Sequence, residues 1–246
     1  MRDASWRQDR HLVRCEWGAV GAARVAGSAL VVVVDVLSFT TSVSVLVERG
    51  TAVYPCAWRD ARAGDMAREH GAALAVGRRE VSAQNPWSLS PAALRVAPAP
   101  QRLVLPSPNG SAIAAAAPTA QVLAASLRNA RAVGAWLRGR GYGTTRPVAV
   151  ERWPDGSLRP ALEDLLGAGA VLYALGAAES VCSPEAATAR AAYAGLAPGA
   201  VVGAVRSCGS GQELTAGGFE ADVDVAVEID SSDVVPLLTD GAFRPG

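Results

Sequence analysis

The sequence predicts an α/β protein, a three-layer α/β/α sandwich around a largely parallel, mixed central sheet. Residues 29–34 form an apolar run with four consecutive valines, which is too short to span a bilayer and too β-branched to favour a helix. Strand, polar turn and helix then alternate along the chain, a pattern typical of a parallel sheet covered by helices. Because no linker or low-complexity segment interrupts residues 29–240, we expect one domain over 1–246 with its core in 29–240.

The first strand–turn–helix unit predicts a functional turn. Asp35 follows the apolar strand, and Ser38 and Thr40 lie among hydroxyl-bearing residues of the kind that cap a helix start. Gly50 fits just past the end of the predicted helix. Ligands of open α/β sheets bind outside the carboxyl ends of strands, and a helix N-terminus favours anions. Asp35 is therefore a candidate functional residue, although a carboxylate here can equally serve only as a helix cap.

The remaining elements follow from the same patterns. Strands are predicted at the N-terminal edge in 11–17 and then at 52–56, 72–76, 102–105, 121–125, 147–150 and 223–229. Helices are predicted at 60–70, 110–117, 130–137, 158–175, 184–194 and 212–216, whereas 200–205 fits either a helix or a strand. Residues 78–99 are rich in proline and predict a loop long enough to be functional.

The composition excludes several classes of protein. Acidic and basic residues balance at 23 each, so the total charge indicates neither a nucleic-acid partner nor an anionic membrane surface. No apolar run approaches the length of a membrane span, and the N-terminus lacks the apolar region of a secretory signal. The four cysteines are far apart and lack C-x-x-C spacing, which predicts neither a zinc site nor a disulfide framework. We expect a cytoplasmic protein with reduced thiols, and the sequence permits a homo-oligomer.

Oxygen-bearing side chains follow most of the predicted strands. If these turns converge, they bring together Asp35, Ser38, Thr40, Asn109, Ser111, Ser126, Asn129, Glu151, Glu163 and Asp164. Carboxylates with water suit Mg²⁺, which is bound in proteins by one or two carboxylates together with substrate phosphate oxygens. Glu163 and Asp164 head a helix that is otherwise apolar on every side, where two acids are costly without a cation or a hydrogen-bond donor. The sequence therefore predicts metal-assisted phosphoryl chemistry.

Each candidate also has a structural interpretation. Asn109 with the glycine after it forms turns, Asn129 is an ordinary helix-start residue, and acids in a first helical turn are favoured by the dipole. Residues 207–211, which begin with Ser207, form either an anion-binding nest or a flexible loop. Cys208 is interpreted as a small residue in a tight turn rather than a nucleophile, and a serine hydrolase motif is missing. The basic candidates for binding substrate anions are Arg78, Arg79, Arg128, Arg152 and Arg206.

Five segments, in order along the chain, resemble the 2-phosphosulfolactate phosphatase family. They are VVVVDVLSFTTSVSVLVERG, LVLPSPNGSAIAAA, AASLRNARAV, DGSLRPALEDLLGAGAVL and a tail that runs from SCGSGQEL to DVDVAVEIDSSDVVPLL. The resemblance implies an α/β/α sandwich and an Mg²⁺-dependent enzyme of coenzyme M biosynthesis that removes phosphate from 2-phospho-3-sulfolactate. Polar positions of the family pattern are matched by Asp35, Asn109, Asn129, Glu163, Asp164 and Asp222.

The chain departs from the family pattern in the strand before Glu151, which is short against that pattern, and at two sites of charged residues. Ser38 stands where the family commonly has an arginine, and the family's Gly-Glu-Arg segment is replaced by Gly77-Arg78-Arg79. Both departures concern charged groups of the kind that bind substrate anions, so the resemblance predicts the fold more firmly than the substrate.

We expect a phosphomonoesterase that acts on a small anionic hydroxy-acid ester. Asp35, Glu163 and Asp164 are the predicted catalytic and metal-binding residues, with Mg²⁺ held by Asp35 and one of the other two acids. The predicted substrate-binding residues are Ser38, Thr40, Arg79, Asn109, Ser111, Asn129 and Ser207. Whether Asp35 attacks phosphorus or only binds metal stays open at this point. The alternative function is a non-catalytic protein that binds an anionic metabolite or a protein partner on the same scaffold.

Overall fold

The computed structural model describes residues 7–25, 30–116, 121–141, 145–149 and 157–246. The strands are β1 (Glu16–Trp17), β2 (Leu30–Val34), β3 (Ala52–Cys56), β4 (Ala73–Leu74), β5 (Arg102–Pro106), β6 (Gln121–Ala125), β7 (Thr145–Ala149), β8 (Pro236–Thr239) and β9 (Ala242–Pro245). The helices are α1 (Gly18–Val25), α2 (Phe39–Glu48), α3 (Ala61–His70), α4 (Pro91–Val96), α5 (Gly110–Ala116), α6 (Ala130–Gly139), α7 (Leu162–Leu175), α8 (Pro184–Ala194), α9 (Pro198–Ser207), α10 (Gly209–Ala216) and α11 (Glu220–Ala226). Helices flank the sheet, and the predicted α/β sandwich is confirmed.

All the described strands form one mixed sheet in the order β1-β7-β2-β6-β8-β9-β3-β5-β4. The strands β1, β7, β2 and β6 are parallel to one another, and so are β3, β5 and β4. The β8–β9 hairpin lies between these groups and pairs antiparallel with β6 on one side and β3 on the other. As a consequence the two parallel groups run in opposite directions.

Strand β2 lies in the middle of the larger parallel group, and all of its residues are buried. Its side chains alternate between two apolar clusters, as successive residues of a strand must. Val32 and Val34 pack into the cluster that includes α7, whereas Val31 and Val33 pack into the cluster that includes Phe39 of α2. Burial on both faces explains why this strand is continuously apolar.

The structure corrects the C-terminal prediction. Residues 223–229 do not form a strand, because α11 covers most of them and buries Val223 and Ala226, which are three residues apart on one helical face. Packing of this face overrides the β propensity of the valines. The last strands are instead β8 and β9, whose turn at Asp240 and Gly241 has positive φ at both residues. This Asp-Gly turn is a strong hairpin signal that the sequence interpretation missed.

Other element boundaries differ in smaller ways. The proline-rich stretch contains the helix α4, and α1 follows the N-terminal edge strand without having been predicted. Residues 200–205 belong to a helix, and α7 begins at Leu162 rather than 158. Residues 207–211 form neither a nest nor a flexible loop, because they join the end of α9 to the start of α10. None of the helices in the described ranges has both the length and the apolar character that crossing a membrane would require.

Candidate active site

The carboxylate of Asp35 lies where two helices begin. Its Oδ1 accepts a hydrogen bond of 3.1 Å from the backbone N–H of Phe39, and its Oδ2 accepts one of 3.0 Å from the N–H of Gly110. The side chain is 5% exposed. The turn after β2 therefore meets the turn after β5, although the two strands belong to oppositely directed groups. Each amide is one of the unsatisfied donors of a helix N-terminus, so Asp35 caps both α2 and α5.

Glycine at position 110 makes this meeting of turns sterically feasible. A Cβ atom there would lie 2.2 Å from Cδ1 of Phe39 and 3.0 Å from Oδ2 of Asp35. Real Cβ atoms do not approach a ring carbon so closely, so any larger residue would push α5 away from α2. The backbone of Gly110 reaches the carboxylate only because it carries no side chain.

Thr40 holds the Asp35 turn closed. Its Oγ1 donates to the carbonyl oxygen of Asp35 at 2.8 Å and accepts from the Asp35 N–H at 3.0 Å. The side chain is fully buried. We interpret Thr40 as a residue that positions Asp35, because its hydroxyl is already used as donor and as acceptor within the turn.

The two adjacent acids of α7 contact different parts of the protein. Oδ1 of Asp164 accepts a hydrogen bond of 2.7 Å from the N–H of Val36, the residue after Asp35. Oε2 of Glu163 accepts instead from the thiol of Cys208, at 3.1 Å, beside the start of α10. Successive residues of a helix point about 100° apart. The structure therefore brings Asp164 to the Asp35 turn and ties Glu163 to Cys208.

Cys208 is a capping residue with a protonated thiol. Its Sγ accepts from the N–H of Gly211, and its single S–H is shared between Glu163 and the carbonyl of Val205 as acceptors. Burial and the neighbouring Glu163 raise the pKa of Cys208 to about 12. A thiol that keeps its proton at neutral pH is a poor nucleophile, which agrees with the structural interpretation of this cysteine.

Ser111 carries a buried hydroxyl one residue after Gly110. It is 2% exposed, and its Oγ has no hydrogen-bond partner among the described residues. An unsatisfied buried hydroxyl is costly unless a ligand or water completes it. Asn109 precedes this pair, is half-buried, and accepts the N–H of Ala112 with its main-chain oxygen as α5 begins. The predicted residues of this turn thus lie next to Asp35.

Arg78 is the basic residue that reaches the same turn. Its Nε donates to Oδ2 of Asp222 at 3.0 Å, and its second terminal nitrogen donates to Oγ of Ser38 at 2.8 Å. The guanidinium carbon lies 5.3 Å from the ring centroid of Phe219. Positions 38 and 78, at both of which the sequence departs from the pattern it resembles, are therefore in direct contact.

A cavity of about 560 Å³ adjoins Arg78. Its wall includes Arg59, Asp60, Arg78, Arg79, Glu80, Pro106 and Phe219. Oε2 of Glu80 accepts from the N–H of Gly77, and Asp60 is paired with Arg62 at 2.6 Å. Arginines thus outnumber acids in the wall, which suits an anionic ligand. The wall connects to the Asp35 turn through Arg78, which donates to Ser38.

A comparison with protein families identifies the chain. The family model described as 2-phosphosulpholactate phosphatase matches residues 21–241 of 246. The chain belongs to the 2-phosphosulpholactate phosphatase family. This confirms the resemblance noted in the sequence and the prediction of a phosphatase. None of the curated proteins that were compared matches the chain.

Two predicted substrate-binding residues of this family member make no hydrogen bond to the Asp35 turn among the described residues. Asn129 is fully buried, with Oδ1 accepting from the Ser126 N–H at 2.8 Å and Nδ2 donating to the Ala124 and Val234 carbonyls. Ser207 is exposed at the end of α9. Asn129 therefore stabilises the start of α6 and its junction with the C-terminal segment. The candidates Glu151 and Arg152 lie outside the described residues.

The contact that sequence analysis missed is the pairing of Arg78 with Asp222. The sequence identifies both residues, Arg78 as a basic candidate and Asp222 through the resemblance. Their pairing carries no local signal, because 144 positions separate them in the chain. Arg128, another basic candidate, is buried and occupied by Ser44, Glu48 and Glu228.

The oxygen atoms at the Asp35 turn suit Mg²⁺ only in part. Among the described residues, no three or more His, Cys, Asp and Glu side chains are grouped to hold a metal. Asp35 and Asp164 nevertheless place two buried carboxylates at one turn, and magnesium sites need only one or two protein carboxylates beside phosphate and water. Asp35 and Asp164 fit such an ion, whereas Glu163 faces a thiol.

Proposed function

We propose that this phosphatase is an Mg²⁺-dependent phosphomonoesterase of a small anionic hydroxy-acid ester, 2-phosphosulfolactate or a related phosphorylated three-carbon acid. One observation carries the proposal. Asp35 is fixed by two helix starts, Asp164 is hydrogen-bonded to the next residue, and Ser38 of the same turn contacts Arg78, which lines a cavity with arginines in its wall. This arrangement offers carboxylates to a cation and positive charge to the acid groups of a substrate.

Asp35 and Asp164 are the residues that would hold the ion. Bound there, Mg²⁺ would polarise a phosphoryl oxygen and neutralise charge that develops during transfer. Each oxygen of Asp35 already accepts an amide hydrogen bond, which stabilises the carboxylate and lowers its nucleophilicity. We therefore assign Asp35 to metal binding, with water as the attacking group.

The phosphate and the second acid group of the substrate would contact different residues. The hydroxyl of Ser111 is buried beside Gly110 and would donate to a phosphate oxygen. Asn109 lies in the same turn and would provide a second donor. Arg79 lines the cavity and is exposed within it, so it would neutralise the other anionic group.

The proposal is tested by phosphate release from 2-phosphosulfolactate, 2-phospholactate and 3-phosphoglycerate, each with Mg²⁺ and with EDTA. We expect turnover that EDTA abolishes and that excess Mg²⁺ restores. Turnover that persists in EDTA would remove the metal from the mechanism. Binding of these esters without turnover would favour the alternative, a non-catalytic protein for anionic metabolites.

A pair of neighbouring variants tests which acid of α7 binds the ion. Asp164→Asn should raise the Mg²⁺ concentration needed for half-maximal activity by at least about tenfold. Glu163→Gln should leave this concentration within about threefold, because Glu163 contacts Cys208 instead of the Asp35 turn. The opposite ranking would place the metal site beside α10.

A further inference from the structure

The side chain of Arg78 is fixed on three sides. Asp222 accepts from Nε, Ser38 accepts from one terminal nitrogen, and the ring of Phe219 lies against the guanidinium. The side chain is 19% exposed, so it is held at the boundary between the protein and the cavity. A guanidinium restrained in this way presents its remaining donors in a fixed direction.

Asp222 is itself held in place from the opposite side. It is 1% exposed, and its Oδ1 accepts from the hydroxyl of Ser90 at 2.5 Å and from the N–H of Ala92 at 3.2 Å. These two donors lie at the start of α4, whereas Asp222 lies on α11. One carboxylate therefore links α4, α11 and the segment that carries Arg78. Such a carboxylate cannot turn away from Arg78 without losing bonds to α4.

Arg78 keeps hydrogen-bonding capacity after these contacts. A guanidinium has five N–H donors. Within the part of the chain that the structure describes, Asp222 and Ser38 accept two of them. The other three are available on a residue that lines the cavity, and their planar arrangement matches the paired oxygens of a carboxylate or sulfonate.

We propose that Arg78 selects substrates with a second acid group in addition to the phosphate, and that Asp222 is the positioning residue that holds Arg78 in the required orientation. This inference rests on the proposed phosphatase function, but it concerns a different part of the substrate. Asp35 and Asp164 act at the phosphate, and the Arg78–Asp222 pair orients the carboxylate or sulfonate whose charge Arg79 also helps to neutralise. Loss of the pair should therefore weaken substrate binding rather than the chemical step.

The test compares two phosphate esters in the full-length protein. One is 2-phospholactate, which has a second acid group, and the other is glycerol 2-phosphate, which lacks it. Arg78→Ala should lower kcat/KM for 2-phospholactate by about 10- to 100-fold, mainly through KM. The same variant should change kcat/KM for glycerol 2-phosphate by less than about threefold. Asp222→Asn should also lower the ratio of kcat/KM for 2-phospholactate to kcat/KM for glycerol 2-phosphate. Arg78→Lys should retain only part of the wild-type ratio.

Asp233→Asn provides a matched control. Asp233 pairs with Arg131 at 3.0 Å on the exposed surface, so the variant makes the same chemical change in an arginine–carboxylate pair away from the cavity. In Asp233→Asn, the ratio of kcat/KM for the two esters should equal that of the wild type. An equal loss for both esters in Arg78→Ala, or an unchanged ratio in Arg78→Ala and Asp222→Asn, would overturn the inference.

Calorimetric binding of 3-sulfolactate, which carries no phosphate, separates this inference from the proposed function. Wild-type protein should bind it, and Arg78→Ala should weaken binding at least about tenfold. If no ester is hydrolysed but this loss of binding is observed, the phosphatase proposal fails and the role of Arg78 stands. If esters are hydrolysed but 3-sulfolactate binds equally to wild type and Arg78→Ala, the role of Arg78 is refuted.

Discussion

The main-chain N–H of Val36 donates a hydrogen bond of 2.7 Å to Oδ1 of Asp164, a residue 128 positions later in the chain. Since Val36 directly follows Asp35, this bond fixes the first turn of α7 beside the turn in which Asp35 caps α2 and α5. Asp164 thereby contacts the main chain directly after Asp35. We expect a cation at this turn because buried acids are costly without a cation or hydrogen-bond donors.

Asp35→Asn should lower both activity and stability. An asparagine has one acceptor oxygen, so either the Phe39 or the Gly110 N–H loses its partner, and the free energy of unfolding should fall by about 1–3 kcal/mol. Loss of a metal-binding charge should reduce turnover at least about a hundredfold. Phosphate release and urea denaturation measure the two effects. Asp65→Asn on the exposed face of α3 should change neither quantity, and retained activity in Asp35→Asn would refute the metal site.

Gly110→Ala should separate α5 from α2. The added methyl would overlap the ring of Phe39, so we expect a loss of about 1–3 kcal/mol in the free energy of unfolding and a marked loss of turnover. Gly203→Ala is the control, because nothing lies within 4 Å of its Cβ position on α9. That substitution should stabilise the protein by up to about 1 kcal/mol. Equal melting temperatures for the two variants would contradict the close contact at Gly110.

Asn129→Ala distinguishes a structural amide from a substrate ligand. The side chain bonds to Ser126, Ala124 and Val234, so its removal leaves buried backbone groups unsatisfied. We expect the free energy of unfolding to fall by about 1–3 kcal/mol. Chemical denaturation measures this loss. A large increase in KM at unchanged stability would instead support the substrate-binding role predicted from sequence.

Stability should decrease at alkaline pH through buried thiols. Burial is the main cause that raises the pKa of Cys15 and of Cys208 from an ordinary 9.0 to about 12. Between these values the unfolded chain binds fewer protons than the folded one, so this contribution is complete below pH 9 and is lost progressively from pH 9 to 12. Each thiol contributes a slope approaching about 1.4 kcal/mol per pH unit.

Cys208→Ser tests the contribution of one thiol. A serine hydroxyl does not titrate in this range, so the slope of unfolding free energy against pH should decrease by about one proton equivalent. Urea denaturation at intervals from pH 8 to 11 provides the measurement. Cys15→Ser should have a similar effect, and a slope unchanged in both variants would show that these thiols ionise normally.

Local pattern was sufficient for much of the sheet. The strands predicted at 52–56 and 121–125 have the same bounds in the structure, because buried β-branched and apolar runs end at polar turns. The pattern failed at 223–229, where alternating valines lie on a helix packed near α4. Alternating apolar residues form a strand only where they can pair with another strand. Here the valines pack against a helix instead.

The candidate site was likewise predictable only where its residues are close together in the chain. Asp35 was identifiable because it lies between a buried strand and a hydroxyl-rich helix start, features that adjoin in the chain. Glu163 and Asp164 could not be ranked, because adjacent residues of a helix differ only in direction, and direction depends on what the helix packs against. Asn129 could not be assigned a role from sequence, because buried amides that join elements and amides that bind ligands share one residue type.

The sequence by itself determined the alternation of strands and helices, the turn that holds Asp35 and the family of the chain, because each depends on residues close together or on their order. Only the tertiary structure decided that Asp164 bonds to the residue after Asp35, that Glu163 contacts Cys208 and that Arg78 is held by Asp222. The physical reason is that hydrogen bonds across 45 to 144 positions depend on how helices pack on the sheet, and spacing along the chain carries no record of that packing.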